Sequence, residues 1–234
     1  MRHMKNIKRL LLDADDTLWE NNIYFLRATE QFFELMQQSG IPETKIRSAF
    51  FELEHRVVQE NGYGSEFFIL ILEKLVARYK KQLTKTQMQR YREIIEDFKQ
   101  HRHDPPPLFP GVMETLQSLA KRIPLYVVTK GQQEEQEDKI VRSGVAAIVN
   151  DYFILPEKNE AIYKDLLDRN TWEYEMTCMV GNSPKSDINP ALKLGMKAVY
   201  IPYKSTWHME NESVLEKHEN FLKIDSFSEL LRLF

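Results

Sequence analysis

The sequence predicts an α/β protein: a parallel sheet core flanked by helices, with an all-helical module inserted after the first strand. Short aliphatic and β-branched runs bounded by turn residues alternate with helical patterns through the second half of the chain, as strands joined by crossover helices do. More than a hundred residues separate the first such run from the second, far more than one crossover helix needs. Polar, chemistry-bearing residues follow four of the runs directly, where open parallel sheets bind their ligands.

Composition narrows the class. The 234 residues are 42% hydrophobic and 29% charged, which suits a globular chain with a proper core. A net charge of −3 argues against nucleic acid as partner, because such binders carry a basic excess. No apolar run approaches the ~20 residues of a membrane span, and "MRHMKNIKRL" lacks the apolar segment of a signal peptide. The lone Cys178, inside "MTCMV", allows no internal disulfide and reads as a small buried residue. The expectation is a cytoplasmic protein with no membrane partner.

Strands are expected at Ile7–Leu12, Leu125–Val128, Ile148–Leu155, Thr177–Val180 and Ala198–Ile201, with a weaker one at Phe221–Ile224. Between them run helical patterns at Gly111–Lys121, Gln132–Ser143, Asn159–Asn170 and Ser186–Leu194, the last stopped by Gly195. The long interval reads as four helices. Ile23–Ser39 stops at Gly40, and Pro42–Glu60 opens on proline. Ser65–Lys80 has Ser65 as its N-cap candidate, and Thr84–Gln100 has Thr84 and Gln87 in capping-box spacing. The stiff "HDPPPLFPG" then ends the module. His101 and His103 do not share a helix face and read as a solvated boundary rather than a metal site. Acidic Gln132–Asp138 reads as a solvated first half of a helix.

The first strand raises the functional question, because "KRLLLDADDTLWENN" sets Asp13, Asp15, Asp16 and Thr17 against its end. An acidic turn with an N-cap is one reading; a site where a cation meets a phosphate is the other. The remaining strand ends favour the second. "VVTKG" presents Thr129 and Lys130, "LPEKNE" presents Lys158, and "VGNSPKSD" presents Asn182, Ser183 and Asp187.

Asp13, Asp15 and Thr17 after an apolar strand, Thr129 ending the next, then Lys158 and "GNSPKSD" follow the order of motifs in the haloacid dehalogenase superfamily. The chain resembles that family over nearly its whole length. The resemblance implies a Rossmann-like core domain over residues 1–19 and 105–234, a helical type 1 cap over 20–104, magnesium as cofactor and phosphomonoesterase activity on a small phosphorylated metabolite. It makes Asp13 the nucleophile of an aspartyl-phosphate mechanism and Asp15 the general acid, then base. Thr129, Lys130 and Lys158 join Asp13 and Asp15 around the phosphate, and Asp13, Asp15, Asn182 and Asp187 hold the ion. Asn182 stands where many members carry an acid, so Asp187 is expected to supply the charge. Lys164 is the alternative to Lys158; Asp16 and Thr17 are expected to shape the loop. A phosphomutase or phosphotransferase, a haloacid dehalogenase and a catalytically idle binding protein remain as rival readings on the same scaffold.

Overall fold

The first strand is buried along its whole length, so it must be covered on both faces and paired on both edges. The structure, a computed structural model, describes Met4 and residues 6–234, apart from the side chains of residues 102 and 103. Six strands form one sheet: β1 (Arg9–Leu12), β2 (Leu125–Lys130), β3 (Asp151–Leu155), β4 (Thr177–Gly181), β5 (Lys197–Tyr200) and β6 (Phe221–Lys223). Their order is β3-β2-β1-β4-β5-β6, and every pairing is parallel. Strand order runs outward from β1 to one side through β2 and β3 and to the other through β4, β5 and β6, so β1 and β4 flank the switch point where ligands gather in such sheets.

Side chains alternate across the sheet. Leu10, Leu12, Val127 and Val180 pack on one face with α5 (Val112–Leu119), α6 (Gln133–Arg142) and the 3-10 turns Phe227–Arg232. Leu11, Val128, Met179 and Ala198 pack on the other with α7 (Glu160–Arg169) and α8 (Asn189–Lys193). Cys178 is fully buried.

The chain divides into two compact units, one made of the residues up to Asn22 with Pro106–Phe234, the other of Ile23–Pro105. The second unit is helical, built from α1 (Asn22–Gln38), α2 (Glu43–Asn61), α3 (Ser65–Tyr79) and α4 (Lys85–His103). It has its own core, in which Phe32, Phe33, Phe50, Phe68, Leu72 and Phe98 meet. Several of these rings meet edge to face, the arrangement the ring quadrupole favours. Thr84 and Gln87 form the expected capping box at α4. His101 Nδ1 contacts the Asp97 carbonyl of its own helix at 2.7 Å, while the His103 side chain lies outside the described residues. Among the described residues no helix is long and apolar enough to cross a membrane.

Three local readings need correcting. Ser65 is the first residue of α3, and Gly64 occupies its cap position without a side-chain bond. β3 begins at Asp151, not Ile148, because Gly144 at φ +80° turns Val145–Ala147 into a 3-10 turn whose Val145 carbonyl takes both the Ile148 and Val149 amides. The helix expected over Ser186–Leu194 is instead a π turn at Pro184–Ile188 leading into α8. Pro190 has no N–H to give the Ser186 carbonyl, and that carbonyl accepts the Tyr163 hydroxyl at 3.1 Å.

Candidate active site

Parallel pairing carries the first strand one residue further than its regular geometry. The Asp13 amide donates to the Val180 carbonyl at 2.9 Å, which fixes Asp13 at the tip of β1 beside β4. The chain then turns at once: Thr17 and Leu18 amides both reach the Ala14 carbonyl, and Asp16 takes φ +63°, a conformation Asp tolerates better than most side chains. The Asp16 carboxylate accepts the Asn21 and Asn22 amides at 2.9 and 3.0 Å. Burial pushes its pKa up to about 7 against the pull of those two amides, with Asp15 and Asp13 adding to the rise.

The turn leaves Asp13 in a buried cluster. Its Oδ1 accepts Lys158 Nζ at 2.5 Å and its Oδ2 accepts Thr17 Oγ1 at 2.6 Å. Thr17 Oγ1 also lies 3.3 Å from Asn182 Oδ1. Lys158 comes from the segment between β3 and α7, stopped there by Asn159, whose side chain caps α7. Its ammonium also reaches the Val128 carbonyl at 3.3 Å and touches Asp187. Burial pulls the Lys158 pKa down, but Asp13 and Asp187 outweigh it and hold the pKa well above the ordinary lysine range. Lys164, the alternative lysine, is 61% exposed on α7 and pairs with Asp168.

Asp187 is fully buried at the end of the β4 loop. Burial raises its carboxyl to about 7, Asp13 adds to the rise, and Lys158 and the Ser183 amide oppose it. The Ser183 amide donates to Oδ2 at 2.9 Å; Oδ1 touches the Lys158 ammonium but receives no aligned hydrogen bond. A Cβ on Gly181 would lie 2.7 Å from Asp187 Cβ and closer still to its carboxylate, so glycine is what lets Asp187 approach. Gly181→Ala should destabilise the fold by about 1–3 kcal/mol, a loss of several degrees in Tm. An unchanged melt would show that Asp187 has another place to go.

Asp15, two residues past Asp13, faces a different set. Its carboxylate takes Lys139 Nζ on both oxygens at 2.6 Å, Gln136 Nε2 at 2.9 Å and Trp19 Nε1 at 2.7 Å. Gln136 Oε1 accepts the buried Thr129 hydroxyl at 3.3 Å, so Thr129 and Asp15 are linked through α6. The acidic stretch read as solvated thus turns Gln136 inward, with Lys139 three residues on; both are buried. Their i, i+3 spacing beside Ile140 places all three on one helix face. That was the signal available in the sequence.

Lys130 goes elsewhere again. Its ammonium pairs with Glu210 at 2.6 Å and Glu157 at 3.2 Å and donates to Ser186 Oγ at 2.9 Å. Glu210, in the loop after β5, is 7% exposed and carries no recognisable sequence signal. Burial opposes its ionisation, yet Lys130 and the Ser183 and Ser186 hydroxyls hold its pKa down to about 2 against an ordinary 4.5. A depressed carboxyl stabilises the fold fully above its unfolded pKa and loses that benefit as pH falls toward the folded value. The ionised Glu210 should therefore contribute about 3 kcal/mol at pH 7, more than half of it gone by pH 3. Urea titrations of wild type and Glu210→Gln at the two pH values measure this, and an equal gap at both would refute it.

The structure therefore brings together Asp13, Thr17, Lys158, Asn182 and Asp187, links Asp15 to Thr129 through Gln136, and binds Lys130 to Glu210. Among the described residues no group of three His, Cys, Asp or Glu side chains is arranged around one point. The oxygen set on hand is two carboxylates, Asp13 and Asp187, with Asn182 Oδ1 and backbone carbonyls. Hard Mg²⁺ accepts such a set while keeping several waters. Two buried carboxylates sharing one ammonium, with Asp187 Oδ1 lacking an aligned donor, fit a further cation.

A sequence profile of haloacid dehalogenase-like hydrolases matches residues 10–201, a span that includes every residue of the Asp13 cluster. The chain belongs to the haloacid dehalogenase-like hydrolase family. A relative from Methanothermobacter thermautotrophicus named glyceraldehyde 3-phosphate phosphatase is 26% identical over 231 residues, 96% of this chain and 98% of that one. A haloacid dehalogenase-like hydrolase from Xanthomonas campestris has a TM-score of 0.79 at 25% identity, covering 97% of this chain and 92% of that one. The Bacillus subtilis hydrolase YfnB, solved bound to magnesium, shares the fold at a TM-score of 0.62 and 19% identity, covering 98% and 99%. The family makes this chain a hydrolase and gives its six-stranded Rossmann-like sheet and helical insertion their precedent.

Proposed function

We propose that this hydrolase is a Mg²⁺-dependent phosphomonoesterase that works through an aspartyl-phosphate on Asp13. The reading is supported by the buried convergence of Asp13, Lys158 and Asp187 at the tips of β1 and β4: a carboxylate that can act as nucleophile, an ammonium that can offset phosphate charge, and a second carboxylate that can hold a cation. A phosphotriose is the first substrate to try, given the activity in the Methanothermobacter relative's name.

An Asp13 carboxylate oxygen attacks phosphorus, the ester P–O bond breaks, and the leaving alkoxide takes a proton from the Asp15 carboxyl. Water then attacks phosphorus, Asp15 accepts its proton, and the bond to Asp13 breaks, releasing phosphate. Lys158 offsets phosphate charge at the oxygens facing Asp13, and Thr17 keeps the attacking carboxylate oriented. Asp15 has to leave Lys139 to reach the leaving oxygen, taking up a proton from solvent as it does so and giving it back when the carboxylate returns to Lys139 and Gln136 between turnovers. Thr129 joins the phosphate contacts by releasing Gln136. Asp13, Asp187, Asn182 and the Asp15 carbonyl would hold Mg²⁺, which when bound supplies charge neutralisation for the transferring phosphoryl.

The test is hydrolysis of a panel containing glyceraldehyde 3-phosphate, phosphoglycolate, sugar phosphates and nucleoside monophosphates. It is run in Mg²⁺, after chelation, and after Mg²⁺ is restored. Turnover that chelation abolishes and Mg²⁺ restores is the expected result. A chain that releases no phosphate from any of them at any Mg²⁺ concentration refutes the reading.

A further inference from the structure

Glu210 is nearly completely buried although "TWHMENES", where it sits, has the composition of a surface loop. Burying a carboxylate is costly unless it is fully partnered, and here both oxygens are engaged. Oε1 takes the Lys130 ammonium at 2.6 Å. Oε2 takes the Ser183 hydroxyl at 2.6 Å and the Ser186 hydroxyl at 2.5 Å. One side chain from the loop after β5 is thereby tied to the end of β2 and to both serines of the loop after β4.

Those serines bracket the site. The Ser183 amide holds Asp187 Oδ2 at 2.9 Å, and its carbonyl accepts the Asp187 amide at 3.0 Å. The Ser183 hydroxyl, besides donating to Glu210, accepts the Ser186 amide at 2.9 Å. Asn182, the residue before, donates from Nδ2 to Thr206 Oγ1 at 3.2 Å, on the same loop that carries Glu210. That loop is pinned once more by Lys185 Nζ on the Met209 carbonyl at 3.0 Å. A π turn is rare and is frequently found at functional sites. The turn at Pro184–Ile188 lacks a long helix to hold it, since α8 is only five residues.

We infer that Glu210 is a positioning residue: by clamping Ser183, Ser186 and Lys130, it sets the β4 loop so that Asn182 and Asp187 present their oxygens toward Asp13. This rests on the proposed metal-dependent reading of the site. Glu210 touches neither substrate nor ion; it acts through Ser183 on Asp187 and through Lys130 on the end of β2. Supporting groups one layer out from metal ligands commonly change affinity ten- to a hundred-fold when removed.

The experiment is calorimetric titration of Mg²⁺ into the full chain, paired with kcat and KM on the best phosphoester, for wild type, Glu210→Ala, Glu210→Gln and Glu173→Gln. Glu173 pairs with Lys8 and Arg9 at the opposite end of the strands and controls for loss of a charge pair. Glu210→Ala should weaken Mg²⁺ at least ten-fold and lower kcat more than it raises KM. Glu210→Gln keeps one acceptor oxygen and should recover part of both losses, while Glu173→Gln binds Mg²⁺ as wild type does. Should Glu210→Ala not fold, Ser183→Ala removes the same link while keeping the amide on Asp187, and is expected to weaken Mg²⁺ likewise. Mg²⁺ affinity within two-fold of wild type in the folded Glu210 or Ser183 variant overturns the inference, even if the wild type is an active phosphatase. A wild type that hydrolyses no phosphoester, with Mg²⁺ affinity still lost in Glu210→Ala, instead overturns the phosphatase reading alone. A wild type that takes up no Mg²⁺ overturns both.

Discussion

Asparagine in place of Asp13 is expected to cut phosphomonoester turnover on the order of 10⁴-fold or more, the scale on which loss of a covalent nucleophile acts. The fold should survive the change. Asn keeps an oxygen for Lys158 Nζ, and the Thr17 hydroxyl, which now donates to Oδ2 at 2.6 Å, can reverse and accept from the amide. Lys158 retains Asp187 as counter-charge. What the amide lacks is the charge and nucleophilicity to attack phosphorus. The check is kcat beside a thermal melt, with a second readout in BeF₃⁻ plus Mg²⁺, which should raise the Tm of wild type and not of the variant. An Asp13→Asn enzyme with full activity would remove the covalent mechanism, whatever its fold.

Lys158→Met should be the most destabilising single change at the site. Lys158 is 3% exposed, and its ammonium serves Asp13, Asp187 and the Val128 carbonyl together. Methionine fills the stem but leaves two carboxylates facing each other out of water. Breaking a buried charge cluster by removing one partner costs about 3–5 kcal/mol, which for a chain of this size lowers Tm by roughly 10 °C. Added Mg²⁺ should return part of that stability, because a ligand that binds only the folded state shifts the balance by mass action. Activity should fall with stability, but it should stay low even in Mg²⁺ at temperatures where the variant is folded. A melt in chelator within two degrees of wild type would show that the two carboxylates are already relieved by something other than Lys158.

Much of the architecture was legible because it rests on local chemistry. Strands buried on both faces must be apolar throughout, and "RLLL" and "TCMV" are nearly so. Helix boundaries were legible where a side chain performs the capping, as Thr84 and Asn159 do. They were misread where backbone conformation decides, as at Gly64, or where a distant group intervenes, as Tyr163 does at Ser186. The sequence also placed Asp13, Lys158, Asn182 and Asp187 at strand ends. It could not show that Asp15 turns toward α6, because the side-chain direction depends on Lys139 and Gln136, more than a hundred residues away.

What the sequence by itself determined is which polar residues end which strands: a strand's end is marked by neighbouring residues, and parallel pairing then gathers those ends at one edge of the sheet. Only the tertiary structure decided how the charges divide. Lys158 and Lys130 follow similar apolar strands, yet one is committed to Asp13 and Asp187 and the other to Glu210. Ion pairing inside a protein depends on separation and burial in space. Glu210, eighty residues from Lys130 along the chain, is brought to it only by the packing of the β5 loop against the turn after β4.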